Sequence, residues 1–189
     1  MEPRARYIAG MMPAIFTADE LLAMSLPDKQ VELVRGTLVV REPPGLRHGH
    51  VSMKLAIPLG NHVESGALGI LLAAETGFKL FANPDTVRAP DLAFVSHARL
   101  PDPLPSGYAA FAPDLAVEVL SPNDRPGEVL AKVGDWLSAG CRLVWVVDPW
   151  RRSARVYRAD GSESFLAEAD ALDGEDVLPG FSIRLDSVF

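Results

Sequence analysis

The 189 residues are easily enough to bury a core, and 48% apolar with 23% charged residues excludes a disordered polymer. A net charge of −7 argues against holding nucleic acid by a broad basic surface, though not against an acidic site that handles phosphates through metal ions. Cys141 is the only cysteine, which excludes an intrachain disulfide and a cysteine-cluster zinc site, and fits a reducing cytoplasm.

Residues 1–16 carry two arginines before a mildly apolar run. The run is short, Pro13 breaks it and no small-residue cleavage site follows, so it reads as an N-terminal arm. No stretch approaches the roughly 18 apolar residues that cross a bilayer. Thr17-Ala-Asp-Glu20 is a capping-box pattern that predicts a short helix ending near Pro27. Gln30 to Arg41 is β-rich, with Gly36 at the turn of a hairpin, and Pro43-Pro44-Gly45 breaks it. Val51, Leu55, Leu59 and Val63 recur every fourth position and predict a helix from His48 to about Glu64, kinked at Pro58.

Four strands are expected next: Gly69 to Phe81, Val87 to Val95, Asp114 to Leu120 and Arg142 to Val147. Pro101 to Ala112 is a Pro/Gly-rich loop between strands of one sheet. Arg125 to Ala139 is helical, with Val129, Val133 and Leu137 on one face and Gly140 as the stop. Ser153 to Arg158 and Gly180 to Leu185 read as further strands. The pattern predicts one α/β (α+β) domain over residues 1–189, with extra β structure in its N- and C-terminal parts.

Alternation along 114–120 puts Asp114, Ala116, Glu118 and Leu120 on one face, against Leu115, Val117 and Val119. A carboxylate in the middle of a buried strand costs several kcal/mol unless a lysine, a hydrogen-bonding shell or a metal ion answers it. Asp91 opens the preceding strand, and if the two strands pair, Asp91 and Glu118 could share a hard cation such as Mg²⁺. Singly, Asp91 and Asp114 read as solvated or capping acids. Spacing alone pairs Lys132 with Glu128 on a wet helix face; the alternative brings it over the strand end to Glu118. Glu32 is either the outward face of its strand or a third acid of the site. His48 and His50 have no third ligand nearby for zinc. Arg151, Arg152, Arg155 and Arg158 read as a solvated hairpin rather than a phosphate track. A nucleophile elbow and a phosphate-binding Walker loop are both lacking.

The segments ELVRG (32–36), HGHVSMKL (48–55), ETGFKL (75–80), VRAPDLAFV (87–95), PDLAVEVLSP (113–122), KVGDWLSAG (132–140), LVWVVDP (143–149) and PGFSIRL (179–185) together resemble the Uma2 family, of the PD-(D/E)XK restriction-endonuclease-like superfamily. The resemblance implies a restriction-endonuclease-like core, a central mixed sheet flanked by helices. It implies metal-dependent hydrolysis of nucleic acid, DNA before RNA, with Mg²⁺ or Mn²⁺ as cofactor. Carried over, the acids are Asp91 and Glu118, joined at the metal by the Val119 carbonyl. Leu120 stands where the superfamily has its lysine, and Lys132 on the following helix matches the Uma2 pattern instead. Glu32 matches an upstream acid and His48 a recurring histidine. Trp136 replaces a Tyr of relatives, a change expected to affect packing more than chemistry. A cytoplasmic enzyme, with a homodimer by analogy, completes what the resemblance implies. A non-catalytic protein of the same fold, or a structural Glu118–Lys132 pair in an oligomer core, are the competing readings.

Overall fold

The computed structural model describes residues 15–24, 27 and 29–189, so most of the expected N-terminal arm lies outside the described residues. Helix α1 (Ala18–Ala23) has both halves of the capping box, the Glu20 N–H donating to Thr17 and the Glu20 carboxylate accepting from the Thr17 N–H. Strands β1 (Gln30–Val34) and β2 (Thr37–Arg41) form the expected hairpin. Arg35 and Gly36 at its turn both have left-handed φ, 49° and 77°, the type I′ geometry that matches strand twist. A side chain at Gly36 would also run into Ile15.

Helix α2 (Leu46–Ser65) buries Val51, Leu55, Leu59 and Val63, and it stays one helix through Pro58. The carbonyl that Pro58 leaves without a donor belongs to exposed Lys54.

The next two expected strands are each broken in two. Gly69 to Phe81 divides into β3 (Gly69–Ala73) and β4 (Phe78–Phe81), separated by Glu75 with φ 68°. Val87 to Val95 divides into β5 (Thr86–Arg88) and β6 (Leu92–Ser96), because Pro90 has no N–H to continue a ladder. The halves belong to different sheets. Strands β4 and β5 join the hairpin in an antiparallel sheet of order β2-β1-β5-β4. Strands β3 and β6 enter a six-stranded sheet with β7 (Leu115–Val119), β8 (Leu143–Asp148), β9 (Ser153–Arg158) and β10 (Glu163–Leu166), in the order β10-β9-β8-β7-β6-β3. Ala89-Pro90-Asp91 is therefore the crossing from one sheet to the other.

In the large sheet β7 (Leu115–Val119) and β8 (Leu143–Asp148) are parallel, joined by α3 (Pro126–Ser138), and the remaining pairs are antiparallel. Alternation along β7 divides the core as expected. Leu115, Val117 and Val119 pack with α2, Trp145 and Phe181, while Ala116 faces Val133 and Trp136 of α3. Strand β9 (Ser153–Arg158) matches expectation and continues into β10 (Glu163–Leu166). The closing strand is shorter than 180–185: β12 (Ser182–Arg184) pairs only with β11 (Ala171–Asp173), and residues 185–187 turn into a short 3₁₀ helix. Among the described residues no helix is long and apolar enough to cross a membrane.

Candidate active site

Glu118 lies one residue from the end of β7, on the face that α3 covers, and is 9% exposed. Two α3 residues one turn apart meet its two oxygens. Lys132 Nζ donates to Oε2 at 2.8 Å, and Trp136 Nε1 donates to Oε1 at 2.8 Å. Lysine and hydrogen-bonding shell thus both answer the buried carboxylate. Lys132 does not pair with Glu128, the partner that helical spacing predicts. Glu128 instead lies 3.7 Å from Arg41 and 3.6 Å from Arg125. Trp136, whose place in the position of a Tyr was expected to affect packing more than chemistry, is a hydrogen-bond donor to the central acid.

Asp91 sits at the sheet crossing, directly beside β7. Its N–H donates to the Val117 carbonyl at 3.0 Å, and its Oδ2 accepts the Val119 N–H at 2.7 Å. Oδ1 lies 3.2 Å from His48 Nε2, near the start of α2, and His48 Nδ1 is buried without a partner among the described residues. Strand β6, which Asp91 immediately precedes, does pair with β7, and this places the Asp91 carboxylate against the backbone of the residue after Glu118.

Glu32 is turned inward, not outward. Its Oε1 accepts the Ala89 N–H at 2.9 Å and lies 3.0 Å from Lys132 Nζ, while Oε2 accepts from Arg88 Nη1 at 2.9 Å. Lys132 also donates to the Ala89 carbonyl at 2.9 Å. Arg88 then reaches α3, where its Nε and Nη2 donate to Asp135 Oδ2 at 2.9 and 2.6 Å. Neither Arg88 nor Asp135 is a candidate on sequence grounds; an arginine within a short apolar strand is the one signal that could have found the pair.

Burial pushes the Glu118 carboxyl up to about 7, with Asp91 and Glu32 adding to the rise and Lys132 restraining it. Burial opposes the Lys132 charge, but Glu118 and Glu32 outweigh it and raise its pKa, so Lys132 remains an ammonium. For Glu32 burial also works against ionisation, and the charges of Lys132 and Arg88 reverse it, holding the carboxyl below its ordinary value. His48 is raised in spite of burial by its bond to Asp91 and the Asp91 charge.

Glu32, His48, Asp91, Glu118 and Lys132 line one cavity of about 700 Å³, walled by the β1–β2 hairpin, α1 and the 121–124 turn. Asp114 lies away from them, bonded to the Ser96 N–H and to Arg99. His50 is exposed. The 151–158 arginines are each answered by an acid: Asp148, Glu168, Glu163 and Glu175. Among the described residues no three His, Cys, Asp or Glu side chains converge as a metal cage. The donor set is two carboxylates beside a strand end. Such oxygen ligands suit a hard cation that keeps waters and takes further ligands from a phosphate, and they suit zinc poorly.

No curated protein matches the chain. It is similar to a crystal structure titled "putative nuclease belonging to DUF820" from Anabaena variabilis. The two are 20% identical with a TM-score of 0.81, over 92% of this chain and 97% of that one. At that identity the likeness shows the fold, a mixed α/β fold shared with a nuclease-fold protein. The sequence model of the Uma2 family, described as "Putative restriction endonuclease", matches residues 18–186. With nearly the whole chain matched, the protein belongs to the Uma2 family.

Proposed function

We propose that the protein is a Mg²⁺- or Mn²⁺-dependent endonuclease that hydrolyses phosphodiester bonds of nucleic acid, DNA first, at Asp91, Glu118 and Lys132. The observation that carries the reading is a buried Glu118 ion-paired with Lys132, with Asp91 bound to the backbone of the next residue and Lys132 shared between Glu118 and Glu32, all of them lining one cleft. Metal-ligand carboxylates need such support, and perturbed acids in a cleft are where chemistry concentrates. Asp91 and Glu118, with the Val119 carbonyl, would hold the cation, which when bound supplies an acidified water and charge stabilisation at the phosphate.

The chain's own residues do the rest. Lys132 stays charged, and its three N–H groups go to Glu118, Glu32 and the Ala89 carbonyl. It would therefore stabilise the charge gained in the reaction as a fixed ammonium, or orient the attacking water by giving up one of those bonds. Glu32 holds Lys132 in place, its own carboxylate anchored by the Ala89 N–H and by Arg88. Trp136 and His48 fix the planes of the Glu118 and Asp91 carboxylates.

Calorimetric titration of Mn²⁺ into wild type and Glu118→Gln, alongside cleavage of single- and double-stranded DNA and RNA, tests the reading. Metal binding and cleavage that both disappear in the variant support it. Equal cleavage in both proteins sinks it. A second reading is favoured by one fact, that both Glu118 oxygens already have protein donors. In it, the pair is structural and the fold binds without cutting; then no metal produces cleavage, and Glu118→Gln changes stability alone. A homodimer is the assembly that double-strand cutting would use, and sedimentation of the chain alone checks it.

A further inference from the structure

Most cations of this acidic chain, among the described residues, are answered by a carboxylate. Among the described residues only Arg35, Arg47 and Lys54 have none within salt-bridge distance. Arg47 and Lys54 are exposed on α2 and, seven residues apart, point within about 20° of each other around the helix. The Arg47 guanidinium lies 4.2 Å from the centroid of the Trp150 ring. Trp150 remains 49% exposed, whereas Trp136 and Trp145 are fully buried.

The indole stands on a fixed support. Asp148, at the end of β8, accepts the N–H groups of Trp150 and Arg151 at 2.9 and 3.0 Å, an Asx turn that pins the backbone. Because β7 and β8 run parallel, Trp150 just past β8 shares one edge of the sheet with Glu118 and Val119 at the end of β7. Arg47 immediately precedes His48, which touches Asp91. Arg47 and the exposed indole therefore stand near the His48 side of the cleft, and Lys54 continues the same face of α2 about 10 Å further along the helix.

We propose that Arg47, Trp150 and Lys54 form a ridge that holds an unpaired nucleic-acid strand beside the cleft. A base stacks on the Trp150–Arg47 pair, and phosphates meet the Arg47 and Lys54 charges. This rests on the nuclease reading above. An exposed ring accepts any base face, and a guanidinium held over it without a carboxylate partner has N–H groups to offer a phosphate. The strand is unpaired for two reasons. Bases within a duplex are stacked on one another and offer no free face, and Glu118 is recessed at 9% exposure, where a lone backbone can enter.

Trp150 is the one solvent-exposed indole of the three, so its fluorescence reports the ridge directly. The full chain is titrated with oligodeoxythymidine of about 20 nucleotides, in Ca²⁺ and again in EDTA, following acrylamide quenching and anisotropy. The oligonucleotide is expected to shield Trp150, and the matching duplex to shield it far less. Trp150→Ala should weaken single-strand binding roughly tenfold, and Trp150→Phe should keep most of the affinity. Arg47→Ala and Lys54→Ala should each reduce the slope of log affinity against log salt by about 0.7.

Binding that leaves Trp150 accessibility unchanged, or equal shielding by the duplex, overturns the ridge. So does an equal loss from Arg35→Asn, which removes an unpaired cation elsewhere. Cleavage with unaltered KM in both Arg47→Ala and Trp150→Ala would discard the ridge and leave the nuclease reading standing. A wild type that neither binds nor cleaves any nucleic acid discards both.

Discussion

At Glu118 two donors from one helix hold two oxygens of one carboxylate, yet its pKa still rises to about 7 because burial outweighs them. The native state then binds a proton that the unfolded chain, with its ordinary value of 4.5, has already released. Stability from this group is full below about 4.5 and falls as pH rises through about 7. His48, also raised, acts with the same sign near neutrality, and Glu32, lowered, with the opposite sign at acid pH. We expect Glu118→Gln to flatten the fall in unfolding free energy between about pH 5 and about pH 7.5 by an amount on the order of 1–3 kcal/mol, read by urea denaturation. An unchanged pH profile would show that Glu118 is ionised throughout. Lys132→Met leaves Glu118 and Glu32 facing one another without their shared cation and should cost about 3–5 kcal/mol at neutral pH. The cost should shrink in acid, where protonation relieves Glu118.

Helix α3 is the element that assembles the site, since Lys132, Asp135 and Trp136 project from adjoining positions toward three different strands. Asp135 holds Arg88 of β5, and Arg88 holds Glu32 of β1, so the small sheet is tied to the helix of the large one. Asp135→Asn keeps the shape and weakens a charge-assisted, two-pronged bond; we expect a loss of about 1–3 kcal/mol in thermal unfolding and slower cleavage with unaltered Mn²⁺ affinity. A lowered metal affinity would mean that Arg88 positions the carboxylates as well as the lysine. The hairpin, both long helices and the two parallel strands were legible in sequence because turn chemistry and periodicity are local. The splitting of 69–81 and 87–95 was not read: Pro90 marks one break locally, but apolar β-formers flank both, and the sheet each half joins is set by partners distant in sequence. For the same reason the alternation at 114–120 located Glu118, whereas its answer came from far along the chain. Spacing pointed Lys132 at Glu128, and only the family resemblance turned it toward the site. Arg88 escaped notice because its partners stand 56 and 47 residues away in sequence.

Over the whole molecule, a net charge of −7 sets a condition on function. A polyanion approaching this chain meets an acidic cleft, and on our reading a divalent cation supplies the missing positive charge as well as the chemistry. Binding of that cation must compete with the proton on Glu118, so its affinity should rise with pH through about 7. Since a ligand specific to the native state stabilises it by mass action, Mn²⁺ at about 100 times its dissociation constant should add about 2.7 kcal/mol. The unfolding temperature should therefore climb on Mn²⁺ addition, more at about pH 8 than at about pH 6, and return on chelation with EDTA. Asp91→Asn and Glu118→Gln should each abolish the shift while folding on their own. An equal shift in wild type and both variants would locate the cation elsewhere on the acidic surface and remove the metal from this site. No shift in wild type without nucleic acid, followed by one when an uncleaved oligonucleotide is added, would instead make a substrate phosphate a ligand that the protein donors need to hold the cation.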